Sequence, residues 1–358
     1  MQQVHKIVWK IHLWLGLSCG IIASFSGLTG ALYVWQPEIT TLFNPELLEV
    51  EGFSSIPQEE LLNSAYSLIE QSKEKIHRVY LPYREQQTTA IEYINGKTFY
   101  YHPKTKAFLG EKSTSIYFFD SLLNLHRTLG IPEVGKYIIG TSSLLFCLFL
   151  LTTGFYIWWK AYKNNLSKGF TMKWKPKKKR FNFNLHKVFG IYFLVPLFIM
   201  AFTGAYFTYY KTYKSFLSIF DDSNKIEANK QNEELEDTFS LKKAMLESDN
   251  SYVLRAVYFP KDSIGVYRLR YIKDRFIKAG FRKTKEMEMN QQGQLRTLSK
   301  FESDTKSNQI SAQFYPVHIG EIAGVFGRVL VFVSGFVPLL LLITGFRIYS
   351  GKRKKLKK

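Results

Sequence analysis

The chain has 358 residues, 46% hydrophobic, 22% charged and 16% aromatic, with a formal net charge of +20. Its mean hydropathy near zero averages two unlike populations, long apolar blocks and polar strand-like stretches, and so does not argue for a soluble protein. Its two cysteines, Cys19 and Cys147, both sit inside apolar blocks and outside any C-x-x-C or C-x-x-C-H pattern. That excludes a structural disulfide, a cysteine-type zinc site and a covalently attached c-type haem.

The first apolar block runs from Ile11 to Trp35. A helix needs about 20 mostly apolar residues to cross a hydrocarbon core about 30 Å thick, because it rises about 1.5 Å per residue. Lys6 and Lys10 precede the block as they would in a signal peptide. The run is nevertheless too long for such a segment and has no A-x-A exit. Leu17-Ser18-Cys19 has only a loose likeness to a lipoprotein site, with Gly16 where a leucine belongs. An uncleaved spanning helix is expected.

A polar connection follows. Gln58 to Gln71 reads as a helix, and the runs His77–Pro82, Thr88–Tyr93 and Thr98–Lys106 read as strands separated by turn formers. The second apolar block, Tyr137 to Trp159, leads into a stretch from Lys160 to Arg180 with nine Lys or Arg and no acid. The third block is Val188 to Tyr209. The next polar connection holds a stretch expected to be a flexible link, Asp221–Asp237, then a helix, Leu241–Glu247. Strands are expected at Ala256–Pro260 and Gly265–Tyr271, and at Glu286–Leu295 around a Gln291-Gln292-Gly293 turn. The fourth block, Ile322 to Phe346, ends in a tail with seven Lys or Arg from Arg347 to Lys358 and no acid. Trp35, Trp158, Trp159 and Tyr209 close the blocks, as aromatic rings do at the headgroup layer. One such block could be a buried core helix; four in a chain of this length read as a four-helix integral membrane protein.

Basic runs that abut helix ends stay on the cytoplasmic side. The amino terminus, the 160–186 loop and the carboxyl terminus are therefore expected in the cytoplasm, and the two long connections outside. The positive charge is then topological: it suits a bilayer with anionic headgroups and leaves no case for nucleic acid. The expected organisation is transmembrane helices at 1–35, 126–160, 184–210 and 317–347, outer α+β modules at 36–125 and 211–316, a basic loop at 161–183 and a basic tail at 348–358.

The units repeat. His12 precedes Thr29-Gly30 by 17 residues, and His186 precedes Thr203-Gly204 by 17. His126 is followed nine residues on by Gly135-Lys136 and later by Thr153-Gly154; His318 is followed nine on by Gly327-Arg328 and later by Thr344-Gly345. The last offsets differ by one, 27 against 26. Helix one corresponds to three and two to four, which describes an internal parallel duplication.

Four of the seven histidines head these units. Topology sorts them into an inner pair, His12 and His186, and an outer pair, His126 and His318. Paired imidazoles facing each other across a helix bundle are a natural axial set for b-type haem iron. Gly16, Gly20, Gly27, Gly190 and Gly204 leave space for a flat macrocycle, although glycines and Thr-Gly pairs are also ordinary helix-packing features. His5 falls near the same face as His12 and is a rival that lacks a counterpart before His186. His77 and His102 read as surface or structural. Lys136 and Arg328 occupy matching positions at the outer helix ends, where a cation either pairs with haem propionates or anchors the helix.

The runs I-H-L-W-L-G-L (11–17), S-G-L-T-G-A (26–31), L-H-R-T-L-G (125–130), L-H-K-V-F-G-I-Y (185–192) and V-H-I-G-E-I-A-G (317–324) resemble the PepSY-associated transmembrane helix family over nearly the whole chain. The outer segments resemble PepSY modules. Members of this kind include bis-haem ferrisiderophore reductases of the bacterial inner membrane. The resemblance implies two non-covalent b haems on His12, His186, His126 and His318, and a ferric siderophore or another ferric acceptor. Some relatives carry a fused flavin reductase domain. Here the chain stops at Lys358, so a quinol or a separate reductase is the expected electron donor. No Rossmann fingerprint, P-loop or H-E-x-x-H occurs. Two other readings stay open: a haem-free PepSY regulatory or scaffold protein, and an iron or siderophore transporter subunit.

Overall fold

The computed structural model describes residues 2–172, 178–222, 240–246, 251–261, 265–276 and 278–356. The 223–237 part of the expected flexible link, Lys173, Lys175 and Lys177 of the basic loop, Glu247, and Lys357 and Lys358 of the tail lie outside the described residues. The chain forms two compact units. One comprises Met1–Trp35, Phe119–Tyr213 and Phe314–Lys358; the other comprises Gln36–Phe118 and Lys214–Gln313.

The first unit is helical. Helix α1 is Gln2–Val34. Three helices are long and apolar enough to cross a membrane: Gln3–Val34, Gly135–Tyr162 and Glu321–Gly351. A fourth crossing exists only if Arg180–Tyr192 and Leu194–Phe220 count together, and they meet at a 62° bend. The bend has a local cause. Pro196 has no amide hydrogen, and its ring collides with the carbonyl four residues back, that of Tyr192, where the first segment ends. Side chains such as Trp14, Ile21, Leu32, Val195 and Phe346 remain exposed on these helices, as expected of surfaces that meet lipid.

The second unit is a sheet with helices. Helix α2, Gln58–Gln71, buries Leu61, Leu62, Ala65 and Leu68, one stripe at helical spacing. Strands β1 (Ile76–Tyr80), β2 (Thr89–Tyr93), β3 (Thr98–Tyr101) and β4 (Phe108–Glu111) follow. The run expected as one turn-bearing strand from Thr98 is a hairpin.

Helix α3 is Thr114–Thr128; from Phe119 on it belongs to the helical unit, and it carries His126 in its last turn. Next come α4 (Gly135–Leu145), a π-helical stretch at Phe146–Leu151, and α5 (Thr152–Tyr162). Helices α6 (Lys178–Tyr192) and α7 (Leu194–Leu217) form the bent pair.

In the sheet unit, α8 is Leu241–Leu246. Strands β5 (Val253–Tyr258), β6 (Tyr267–Ile272), β7 (Thr284–Met289) and β8 (Leu295–Lys300) form the second run. Its last two strands flank the Gln291-Gln292-Gly293 turn.

The two runs, read from sequence as separate small sheets, make one eight-stranded antiparallel sheet in the order β4-β3-β2-β1-β5-β6-β7-β8. The join is β1 against β5, with Val79 opposite Val257, Arg78 opposite Tyr258 and Tyr80 opposite Ala256. Leu81 N–H donates to Arg255 O and Phe259 N–H donates to His77 O. Each first strand would otherwise present an unpaired edge, and pairing them removes both edges. Leu62, Ala65, Met245, Leu254, Val257 and Leu269 belong to the core beneath.

Short helix α9 is Phe314–His318, and α10 is Gly324–Leu356. In the helical unit α1 and α10 approach backbone to backbone. A Cβ on Gly27 would lie 2.4 Å from the Gly335 carbonyl oxygen, and a Cβ on Gly335 would lie 2.4 Å from that of Gly27. Phe146, Cys147, Leu150, Leu151, Leu197 and Val337 form its buried core.

Candidate site: two histidine pairs in threonine–glycine cradles

The structure brings four histidines together two by two, in the pairs expected from topology. The ring centroids of His12 and His186 lie 6.2 Å apart at an interplanar angle of 88°. Those of His126 and His318 also lie 6.2 Å apart, at 49°. The pairs sit at opposite ends of α1. His12 is near its start, and His126 contacts Thr29 near its end, roughly 25 Å further along at about 1.5 Å per residue.

Each ring is held by the same device. His12 Nδ1 lies 3.2 Å from Leu150 O and 3.2 Å from Thr153 Oγ1. His186 Nδ1 lies 3.1 Å from Leu341 O and 3.0 Å from Thr344 Oγ1. His126 Nδ1 lies 2.9 Å from Ser26 O and 3.2 Å from Thr29 Oγ1. His318 Nδ1 lies 2.9 Å from Thr203 Oγ1, and the ring also reaches the Met200 carbonyl. In every case the carbonyl belongs to the residue three before the threonine.

These contacts determine the tautomer. A carbonyl can only accept, so Nδ1 must carry the proton. The hydroxyls agree, because each gives its single hydrogen to the carbonyl four residues back. Thr29 bonds Phe25 O at 2.9 Å, Thr153 bonds Phe149 O at 2.6 Å, Thr203 bonds Ile199 O at 2.6 Å and Thr344 bonds Leu340 O at 2.7 Å. Each threonine oxygen is therefore left to accept from Nδ1–H. Nε2 keeps its lone pair and makes no hydrogen bond among the described residues.

The glycine after each threonine makes room for the ring. A Cβ would lie 2.8 Å from His126 Cε1 at Gly30, 3.0 Å from His12 Cε1 at Gly154, 3.2 Å from His318 Cε1 at Gly204 and 3.3 Å from His186 Cε1 at Gly345. All four distances are at or below close contact, so a side chain at any of these positions pushes on an imidazole.

The cradles are reciprocal. Helix α1 carries His12 and holds His126; α5, beyond the turn after His126, holds His12. Likewise α7 holds His318 and α10 holds His186. The one-residue mismatch in spacing between Thr153 and Thr344 has a structural answer. The π-helical stretch Phe146–Leu151 takes up the extra residue, so that Thr153 and Gly154 reach His12 as Thr344 and Gly345 reach His186. The glycines nine residues after His126 and His318 are also explained. A Cβ on Gly135 would strike Thr128 O at 1.7 Å, and one on Gly327 would strike Gly320 O at 2.1 Å.

Other expected residues lie elsewhere. Arg328 donates to Val34 O at 2.6 Å and covers the Trp35 ring at 4.4 Å, at the end of α1. Lys136 Nζ lies over the Tyr137 ring at 5.0 Å. The His5 ring lies 6.4 Å from that of Tyr156, and its buried Nδ1 has no hydrogen-bond partner. His77 pairs with Glu92 at 3.1 Å, and His102 Nδ1 accepts from the Lys104 and Thr105 amides. Of the expected space-making glycines, Gly204 and Gly27 are tightly packed, whereas Gly16 and Gly190 each face a single leucine methyl. The threonines are the site residues that motif reading passed over as packing features. The constant 17-residue spacing from His12 to Thr29 and from His186 to Thr203 was their signal.

Chemically, each pair offers two neutral imidazole nitrogens and no third ligand. No cluster of three or more His, Cys, Asp or Glu occurs among the described residues. Such a two-point set suits a metal that brings its remaining ligands with it.

The family model described as PepSY-associated TM region matches residues 9–352. Comparison with curated proteins gives no match.

Proposed function

The chain belongs to the PepSY-associated TM region family, and from that premise we propose that it is a four-span bis-haem electron-transfer protein that reduces a ferric acceptor. The pairing of the four histidines, each with Nδ1 committed and Nε2 free, carries this reading. The residues fit the group. A metal–imidazole bond is about 2.0 Å and the nitrogen lies about 1.1 Å from its ring centre, so two imidazoles sharing one iron place their centres about 6 Å apart. Both pairs have that separation. Hydrogen bonding at the far nitrogen is the usual support of a metal-bound histidine.

His12 and His186 would hold one b haem, and His126 and His318 the other. Together the two would supply one-electron transfer between the two faces of the membrane. Basic residues beside the helix ends support a cytoplasmic position for His12 and His186 and an outer position for His126 and His318. The membrane is then the bacterial inner membrane, the donor a quinol or a separate reductase, and the acceptor a ferric siderophore or similar complex on the outer side. One-electron reduction of that substrate to the ferrous state weakens its hold on iron and releases it. Arg328 is engaged by α1, so Lys136 is the better candidate for a propionate partner.

Internal duplication belongs to the same reading. The pairing of β1 with β5 is symmetric about Val79 and Val257, which face each other 178 positions apart: under that offset the Leu81–Arg255 and Phe259–His77 hydrogen bonds are equivalent. Register shifts between Ile76 and Arg78 and between Leu254 and Ala256 also fall at equivalent places.

The test is the visible spectrum and pyridine haemochrome of the purified full chain, from cells supplied with haem. About two non-covalent haems per chain are expected. A colourless protein would favour the haem-free regulatory or transporter readings instead.

A further inference from the structure

We propose that Thr29, Thr153, Thr203 and Thr344 are positioning residues that lock each histidine as its Nδ1–H tautomer and set the plane of its ring, making the two pairs chemically unlike. This rests on the reading of each pair as an axial ligand set.

A backbone carbonyl accepts hydrogen bonds over a broad range of directions, so by itself it leaves an imidazole free to swivel. The threonine adds a second acceptor of fixed direction. Its χ1 is stiff because it is β-branched, and its hydrogen is tied to the carbonyl one turn back. The following glycine brings backbone against Cε1. Two acceptors and one wall leave little choice of ring plane. The same device yields different outcomes at the two ends, 88° for His12–His186 and 49° for His126–His318.

That difference has an electronic consequence. Perpendicular imidazole planes keep the two π-type d orbitals of a ferric iron nearly equal in energy, and planes closer to parallel split them. The His12–His186 iron should therefore give the more anisotropic low-spin ferric signal. An Nδ1–H···O bond also makes the imidazole a stronger donor and favours the ferric state. Removing the hydroxyl should raise the midpoint potential of the iron it serves and leave the other unchanged.

The experiment is electron paramagnetic resonance and redox titration of the full haem-loaded chain. The wild type should show two low-spin signals, with the larger maximum g value assigned to His12–His186. Thr153→Val or Thr344→Val should shift only that signal and raise only its potential, and Thr→Ser at the same position should restore both. Thr29→Val and Thr203→Val should act only on the other signal. Variants that bind haem with signals and potentials unchanged, or that perturb the wrong pair, would overturn the proposal. A second measurement does not need haem. Nitrogen-15 NMR of the imidazoles in haem-free wild-type protein should show the Nδ1–H tautomer at all four positions, and a majority of Nε2–H would overturn the proposal. A wild-type chain that never binds haem sinks the electron-transfer reading, while the tautomer measurement still decides this one.

Discussion

The two histidine pairs share every part of their support and differ in what that support produces. Both use a threonine hydroxyl, the carbonyl three residues earlier and a glycine against Cε1. One pair nonetheless stands perpendicular and the other oblique. Their surroundings explain part of this. His12 and His186 lie within helices, α1 (Gln2–Val34) and α6 (Lys178–Tyr192), that run on past them. His126 and His318 end helices that lead into tight turns, with positive φ at Leu129, Gly130 and Gly320. The same threonine–glycine device therefore meets rings carried within a helix at one end and rings carried beside a turn at the other.

The largest effects should come from the ligands. His12→Ala and His186→Ala should each lower haem content from about two per chain to about one, and the double variant should do little more, because both act on one site. His126→Ala and His318→Ala should behave likewise on the other haem, with the first spectrum intact. If His12→Ala and His126→Ala removed the same haem, the division into two independent pairs would be wrong.

Helix register provides the next contrast. Deleting Leu148, which is exposed within the π-helical stretch, should convert that stretch to α-helix and leave Thr153 on His12. Deleting Val333 from α10, which has no spare residue to give up, should swing Thr344 by about 100° and release His186. Haem content and the reduced spectrum of the two deletions report the difference. Equal loss in both would mean that the π-helical turn does not absorb the extra residue.

Glycine substitutions should be smaller and graded. Gly30→Ala, whose Cβ would meet His126 at 2.8 Å, should cost about 1–3 kcal/mol, and Gly345→Ala, at 3.3 Å from His186, should cost less. Thermal unfolding midpoints should rank Gly30→Ala lowest, and a reversed order would show that the α1 cradle yields more readily than the α10 cradle.

The smallest effects belong to the histidines outside the pairs. His77→Ala removes a half-exposed contact with Glu92 worth about 0–1 kcal/mol and should leave both haems in place, as should His102→Ala. His5→Ala should do the same; loss of the His12–His186 haem in that variant, with His12→Ala silent, would move the ligand by two helical turns.

Much of this architecture is local and could be read directly from the chain. Apolar length marks α1, the Gly135–Tyr162 span and α10, because crossing hydrocarbon is a requirement on consecutive residues. Alternation and turn formers place the strands, and α2 begins and ends where its pattern does. The matched spacings, His12 to Thr29 and His186 to Thr203, His126 to Gly135 and His318 to Gly327, stand in the chain itself. Tertiary structure alone decided three things: that β1 and β5 fuse two sheets into one, that a proline splits the third apolar block into two helices at 62°, and that each threonine serves a histidine on another segment. Thr29 meets His126 across 97 residues, and Thr203 meets His318 across 115. Periodicity records which face of a helix is apolar. It does not record which distant residue that face will meet, because that choice is made by packing, where one extra residue in α4–α5 could be absorbed by a π-helical turn and leave the cradle intact.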